Sequence, residues 1–110
     1  MSDYKEIHEI KRKIYAHNSQ YGKTYIIGLF VEEMAECNAE LMRVINYKDV
    51  RSERIIEEIA DVEIMLEQIK ESLDLLFSSF DEIKKEKIMK TAEKLGIDIK
   101  KEVVQDEEIN

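Results

Sequence analysis

Proline and tryptophan are absent from this sequence, and cysteine occurs once, at Cys37. Because proline is missing and only three of the 110 residues are glycine, few positions interrupt a helix. A lone cysteine excludes an intrachain disulfide, so the sequence predicts a protein of the reducing cytoplasm. No stretch reaches the roughly 18 apolar residues of a membrane span, and no signal-like apolar core begins the chain. We therefore expect no membrane insertion.

Positive charge is also in short supply. Seventeen Lys and Arg residues face 25 Asp and Glu residues, which gives a net charge of −8. This balance argues against binding of a nucleic acid polymer, which requires a basic face. Nucleotides are not excluded, because a bound divalent cation reverses the local sign of a site. A composition that is 44% hydrophobic and 38% charged is typical of a folded, soluble domain.

Apolar residues recur at three- and four-residue steps in four segments, a pattern that predicts four α-helices. The predicted helices span about 3–18, 23–46, 52–77 and 80–95. Because these helices are separated by short breaks, the sequence predicts an all-α protein that forms a four-helix bundle. We expect residues 1–96 to form one domain and residues 97–110 to form a charged tail.

Each predicted helix has an apolar stripe that we expect to face the core. These positions are Ile7, Ile10, Ile14 and Tyr15; Ile26, Phe30, Met34, Cys37, Leu41 and Val44; Ile55, Ile59, Val62, Leu66, Ile69, Leu73 and Leu76; and Ile83, Ile88 or Met89, Ala92 and Leu95. Asn46, Asp49 or Ser52 is expected to cap the third helix. The run from Ser79 to Glu82 has the form of a capping box, and Gly96 fits the position just past the fourth helix.

Two pairs of carboxylates lie on consecutive predicted helices. Glu33 and Glu36 belong to the second helix, and Glu58 and Asp61 belong to the third. Residues three apart share one face of a helix, and helices joined by a short turn are antiparallel neighbours. We therefore expect the four carboxylates to converge. A set of oxygen ligands without histidine suits Mg2+ or Mn2+.

A solvated acidic surface is the alternative interpretation, because glutamate is common on exposed helix faces. The position of the pairs favours a metal. Each pair lies beside an apolar stripe, where like charges are partly desolvated and repel one another. A cation between them would offset this cost, and both interpretations stay open at this point.

The acidic pattern resembles that of a known family. Glu32-Glu33-x-x-Glu36, followed after 21 residues by Glu58-x-x-Asp61, resembles the signature of the MazG-like, all-α nucleoside triphosphate pyrophosphohydrolases. The run 57–68 is similar to that of small members of this family, and the resemblance extends over about 21–95.

The resemblance implies an enzyme that converts an NTP or dNTP to the monophosphate and pyrophosphate. It implies that Glu33, Glu36, Glu58 and Asp61 bind Mg2+, with Mn2+ as the alternative ion. Glu32 would be an additional, catalytic acidic residue that orients a water or binds a second ion. Either Glu32 or a ligand carboxylate would take the proton of that water. It also implies a four-helix bundle of the all-α NTP pyrophosphatase type that is completed by oligomerisation, since the family forms dimers or dimers of dimers. The long apolar stripes leave surface to bury as well, so we expect a homodimer or homotetramer.

Substrate contacts are predicted at three further residues. Tyr25, or alternatively Tyr21, is expected to stack on the base, and Lys87 and Lys90 are expected to hold the phosphates. Their alternative roles are packing for Tyr25 and solvation of the fourth helix for the lysines. Many relatives have a polar His-Gln pair where this chain has Tyr25-Ile26, so base selectivity does not transfer.

Two other functions remain open from the sequence. One is a non-catalytic helical interaction module with acidic residues on its surface, and the other is a related phosphoribosyl-ATP pyrophosphohydrolase. A carboxylate-bridged di-iron bundle is disfavoured, because neither His8 nor His17 follows a glutamate by three residues.

Overall fold

A computed structural model describes residues 3–48, 52–74 and 79–98. Within these ranges the regular elements are α1 (Tyr4–Ser19), α2 (Lys23–Tyr47), α3 (Ser52–Ser72) and α4 (Phe80–Lys94). The prediction of an all-α fold is confirmed for the described ranges, which contain four helices and no strand. None of the described helices combines the length and apolarity needed to cross a membrane.

The first two helices begin at residues that suit a helix start. The Oδ1 atom of Asp3 accepts a 2.8 Å hydrogen bond from the Glu6 amide, which caps α1. Gly22 precedes α2 with φ of 91°, a conformation that glycine adopts without a clash from Cβ. At the other end of α2, Lys48 takes the left-handed conformation, and its amide bonds to the Val44 carbonyl at 3.0 Å.

Gly96 ends α4 as predicted. Its φ is 72°, its amide bonds to the Glu93 carbonyl at 3.1 Å, and the Ile97 amide bonds to the Ala92 carbonyl at 2.9 Å. This pair of bonds is a Schellman motif. The predicted capping box at the other end is wrong, because the Ser79 side chain forms no capping hydrogen bond.

The predicted end of α3 at residue 77 is also wrong, since the helix ends at Ser72. The apolar pattern continues through Leu73 without glycine or proline, so the sequence does not signal this end. Asn46 lies within α2 and Ser52 is the first residue of α3, so neither is the N-cap of α3. Asp49, the third candidate, and Leu76 of the predicted stripe lie outside the described residues.

The chain divides into two compact units, Met1–Asp74 and Leu75–Asn110. The first contains α1, α2 and α3, and the second contains α4. One domain over 1–96 stays a prediction. The predicted tail lies outside the described residues from residue 99 onward.

In the first unit, α2 and α3 form the principal helix pair. The buried apolar side chains of this unit are Tyr15 of α1, Ile26 of α2, and Met65 and Ile69 of α3. Gln68 is buried with them. The Nε2 atom of Gln68 donates to the Tyr15 carbonyl at 2.9 Å, and its Oε1 atom accepts from Asn18 at 2.9 Å. The buried amide is therefore satisfied, as a polar group in a core requires.

The predicted isoleucine stripe of α1 is not buried. Ile7, Ile10 and Ile14 are 51%, 45% and 49% exposed, respectively. Instead, α1 meets α3 along the side that carries the buried Tyr15, and charged residues beside this tyrosine pair across the two helices. Lys11 Nζ lies 2.8 Å from Glu67 Oε1, and Arg12 Nη1 lies 2.7 Å from Glu71 Oε1.

The stripes of α2, α3 and α4 are buried only in part. Ile26 and Ile69 are buried as predicted, whereas the following stripe residues are exposed: Met34, Leu41, Ile59, Leu66, Ile83, Ile88, Met89 and Leu95. Within the first unit, the prediction that whole stripes pack inward is therefore wrong for the single chain, because α1, α2 and α3 leave parts of their stripes exposed.

Candidate metal centre

Three of the four predicted metal ligands come together between α2 and α3. Glu33, Glu36 and Glu58 each place a carboxylate oxygen within 4.8 Å of the others. Glu33 and Glu58 are partly buried, and Glu36 is exposed. We call these three residues the carboxylate cluster. A spacing of this size allows one cation to contact all three carboxylates.

The fourth predicted ligand, Asp61, adjoins the carboxylate cluster. It lies one helical turn beyond Glu58 on α3, and its negative charge acts on both partly buried members of the cluster. Among neighbouring charges, Asp61 has the largest effect on Glu33, and Glu36 has the largest effect on Glu58. These pairings are those of two antiparallel helices, with Glu33 opposite Asp61 and Glu36 opposite Glu58.

Glu33 and Glu58, the two partly buried members of the carboxylate cluster, hold their protons more tightly than isolated carboxylic acids do. Burial raises the pKa of Glu33, and the charges of Asp61, Glu36 and Glu58 raise it further. Burial also raises the pKa of Glu58, again with contributions from Glu36 and Asp61. Without a cation, the ionised cluster therefore destabilises the fold, because desolvation and repulsion both act against its charge.

Two oxygens of the carboxylate cluster also lack donors. Glu33 Oε2 and Glu58 Oε2 are buried, and neither has a hydrogen-bond partner among the described residues. A buried carboxylate oxygen without a donor is costly, and a metal ion is one group that satisfies it. All the candidate ligand atoms are carboxylate oxygens, so these residues fit a hard metal ion such as Mg2+ or Mn2+.

One turn away from the cluster, Glu40 of α2 pairs with Arg54 of α3. Glu40 is 6% exposed, and its Oε1 atom lies 2.6 Å from Arg54 Nε and 3.7 Å from Arg43 Nε. This pair was not predicted from the sequence. The sequence does indicate it, because Glu40 lies four residues after Glu36 and Arg54 lies four residues before Glu58. This spacing places two opposite charges at the helix interface that contains the cluster.

The remaining predicted site residues are not in the cluster. Glu32 is exposed beside Glu33, and its catalytic role stays a prediction. Tyr25 lies on α2 about 12 Å along the axis from Glu33. Its ring packs edge-to-face on Tyr21, with centroids 4.9 Å apart.

Lys87 and Lys90 lie on α4, in the second unit. Thr91 Oγ1 donates a 2.9 Å hydrogen bond to the Lys87 carbonyl. The predicted role of these lysines in holding phosphates is neither supported nor contradicted, and it stays a prediction.

No protein family, curated protein or solved structure matches this chain. The assignment of the site therefore depends on its own geometry and donor chemistry.

Proposed function

We propose that this protein is a metal-dependent nucleoside triphosphate pyrophosphohydrolase of the MazG-like type. The observation that carries the proposal is the carboxylate cluster, with its two buried oxygens that lack donors among the described residues. A purely solvated acidic surface would leave such oxygens in water. A triphosphate is a suitable substrate because its phosphates bind through a divalent ion held by carboxylates.

Glu33, Glu36, Glu58 and Asp61 would hold the ion, with Mg2+ preferred and Mn2+ as the alternative. When bound, the ion supplies positive charge to the phosphate oxygens and lowers the pKa of a coordinated water. The exposed Glu32 would accept the proton of the attacking water. An oxygen–phosphorus bond then forms at the α-phosphorus, the bond to the bridging oxygen breaks, and pyrophosphate leaves with that oxygen.

The apolar residues that stay exposed support a homo-oligomer. The isoleucines of α1 and several stripe residues of α2 and α3 are too exposed for a core in the single chain. We include a homodimer or homotetramer in the proposal, because exposed apolar surface of this extent marks an interaction site. Light scattering in solution distinguishes these two states from a monomer. A lone cysteine and the proposed nucleotide substrate both fit a cytoplasmic location.

The test is release of pyrophosphate from a panel of NTPs, dNTPs and phosphoribosyl-ATP, with Mg2+, with Mn2+ and with EDTA. We expect metal-dependent formation of pyrophosphate and monophosphate, and the panel ranks the bases. Preference for phosphoribosyl-ATP would identify the related pyrophosphohydrolase. Absence of turnover with either metal would favour the non-catalytic interaction module.

A further inference from the structure

The ion pair between Glu40 and Arg54 joins a buried carboxylate to a guanidinium that is exposed to solvent. The Glu40 side chain is 7% exposed, whereas the Arg54 side chain is 58% exposed. The contact between them is made by Arg54 Nε, which lies 2.6 Å from Glu40 Oε1. A guanidinium carries five N–H donors in a fork, so Arg54 has donors besides Nε that suit phosphate or carboxylate.

Arg54 and Glu40 lie one helical turn from the carboxylate cluster. Arg54 lies one turn before Glu58 on the same side of α3, and Glu40 lies one turn after Glu36 on α2. The pair is therefore the next layer along the same helix interface. The charge of Arg54 lowers the pKa of Glu58, while Glu40 acts in the opposite sense, so both are electrostatic neighbours of the cluster.

A polyphosphate bound at the cluster would be stabilised by a positively charged side chain in addition to the divalent ion. It keeps a net negative charge even with a divalent ion bound, and the surrounding carboxylates repel it. A guanidinium held in place by a buried carboxylate loses little side-chain freedom when it binds an anion, and it remains charged at any physiological pH.

We infer that Arg54 is a substrate-contacting residue that binds the polyphosphate chain, and that Glu40 is the positioning residue that holds it beside the metal centre. This inference rests on the proposed function, because it takes its ligand from that reaction. It also adds a phosphate-binding residue on α3, within the same compact unit as the cluster, to the lysines predicted on α4.

The test measures calorimetric binding of inorganic triphosphate in Mg2+ to the full chain, alongside pyrophosphate release. Arg54→Gln should raise the Kd for triphosphate by at least about tenfold, the scale of one hydrogen bond to a charged group. Arg43→Gln is the matched control, since Arg43 has the same charge and also neighbours Glu40, at 3.7 Å. It should change the Kd by less than about twofold.

A double variant separates binding from structure. Arg54→Gln alone leaves the buried Glu40 unpaired, which could weaken binding by disturbing the helix pair. Glu40→Gln with Arg54→Gln removes both charges and restores a neutral pair. We expect the double variant to regain thermal stability and to bind triphosphate as weakly as Arg54→Gln.

The outcomes are distinguishable. Wild-type affinity in either Arg54→Gln variant, or an equal loss in Arg43→Gln, would overturn the inference and leave the proposed reaction standing. Triphosphate binding that depends on Arg54, without turnover of any nucleotide, would support the inference and overturn the proposed reaction. Absence of Mg2+-dependent triphosphate binding by the wild-type protein would overturn the inference itself.

Discussion

The hydroxyl of Tyr15 donates a 2.6 Å hydrogen bond to the carbonyl oxygen of Ile64, and this bond joins α1 to α3. Burial, together with the charge of Glu67, raises the pKa of Tyr15 to about 12, so the hydroxyl keeps its proton and remains a donor. Tyr15 thus holds α1 against α3 in two ways: its ring is buried, and its hydroxyl is hydrogen-bonded to the α3 backbone.

Replacing this hydroxyl tests the attachment. Tyr15→Phe should lower the free energy of unfolding by about 1 kcal/mol, because it removes one partly buried hydrogen bond and little apolar area. Urea unfolding followed by circular dichroism measures the change. Tyr4→Phe is the control, since Tyr4 is 95% exposed and should show no loss. Equal stability of the two variants would show that the hydrogen bond contributes nothing.

Divalent ions should stabilise the protein. At an Mg2+ concentration about 100 times its Kd, binding to the folded state alone adds ~2.7 kcal/mol. A rise in Tm with Mg2+ or Mn2+, reversed by EDTA, is the expected result in a thermal scan. Glu58→Gln should reduce the rise, whereas Glu63→Gln, at an exposed position of α3, should keep it. A Tm that ignores both metals would contradict the metal centre.

Removal of a predicted ligand should abolish catalysis. Glu36→Ala or Asp61→Ala should lower kcat/KM by at least about 100-fold, the scale of losing one electrostatic contact to a reacting group. Far-UV circular dichroism should show intact helices in both variants. Glu63→Ala provides the matched loss of a carboxylate away from the cluster. Full activity in both ligand variants would exclude the assignment.

The stability of the metal-free protein should fall as the pH rises. The pKa values of Glu33 and Glu58 are raised above the ordinary 4.5, so the folded chain binds protons more tightly than the unfolded chain. Their stabilising contribution is complete below about pH 4.5 and is lost as the pH rises through the raised pKa values. In EDTA, Tm should therefore be higher at about pH 5 than at about pH 7.

Two controls isolate this pH effect. Glu33→Gln should flatten the dependence, and Glu63→Gln should not. A hydrogen bond from Lys11 lowers the pKa of Glu67, so Glu67 acts in the opposite sense, but only as the pH falls toward and below about 4.5. The comparison between about pH 5 and pH 7 thus reports mainly on the cluster. An equal slope in the two variants would show that the effect comes from the overall negative charge.

The helices and the carboxylate cluster could be predicted because both depend on local spacing. Apolar periodicity indicates a helix, and a three-residue step places Glu33 beside Glu36 whatever else the chain does. That the two pairs meet follows from one further assumption, that α2 and α3 are antiparallel neighbours. The closeness of Glu36 to Glu58, together with the ion pair of Glu40 and Arg54 one turn further along α2 and one turn back along α3, confirms that assumption.

The core around Gln68 could not be predicted in this way. A glutamine inside an apolar helix pattern is indistinguishable from a solvated residue until its partners are known. Those partners, Asn18 and the Tyr15 carbonyl, lie 50 and 53 residues away along the chain. The exposure of the α1 isoleucines could not be predicted for the same reason, because the side of α1 that faces α3 is known only once the α3 partners of Tyr15, Lys11 and Arg12 are known.

The facing positions of α2 and α3 also limit how the gene can vary in length. Deleting one residue within 33–40 or 54–61 would turn the rest of that helix by about 100° relative to its partner. Glu40 would then leave Arg54, or a carboxylate would leave the cluster. Insertions and deletions in descendants of this sequence should therefore fall outside these two stretches, for example in the connection between the two helices.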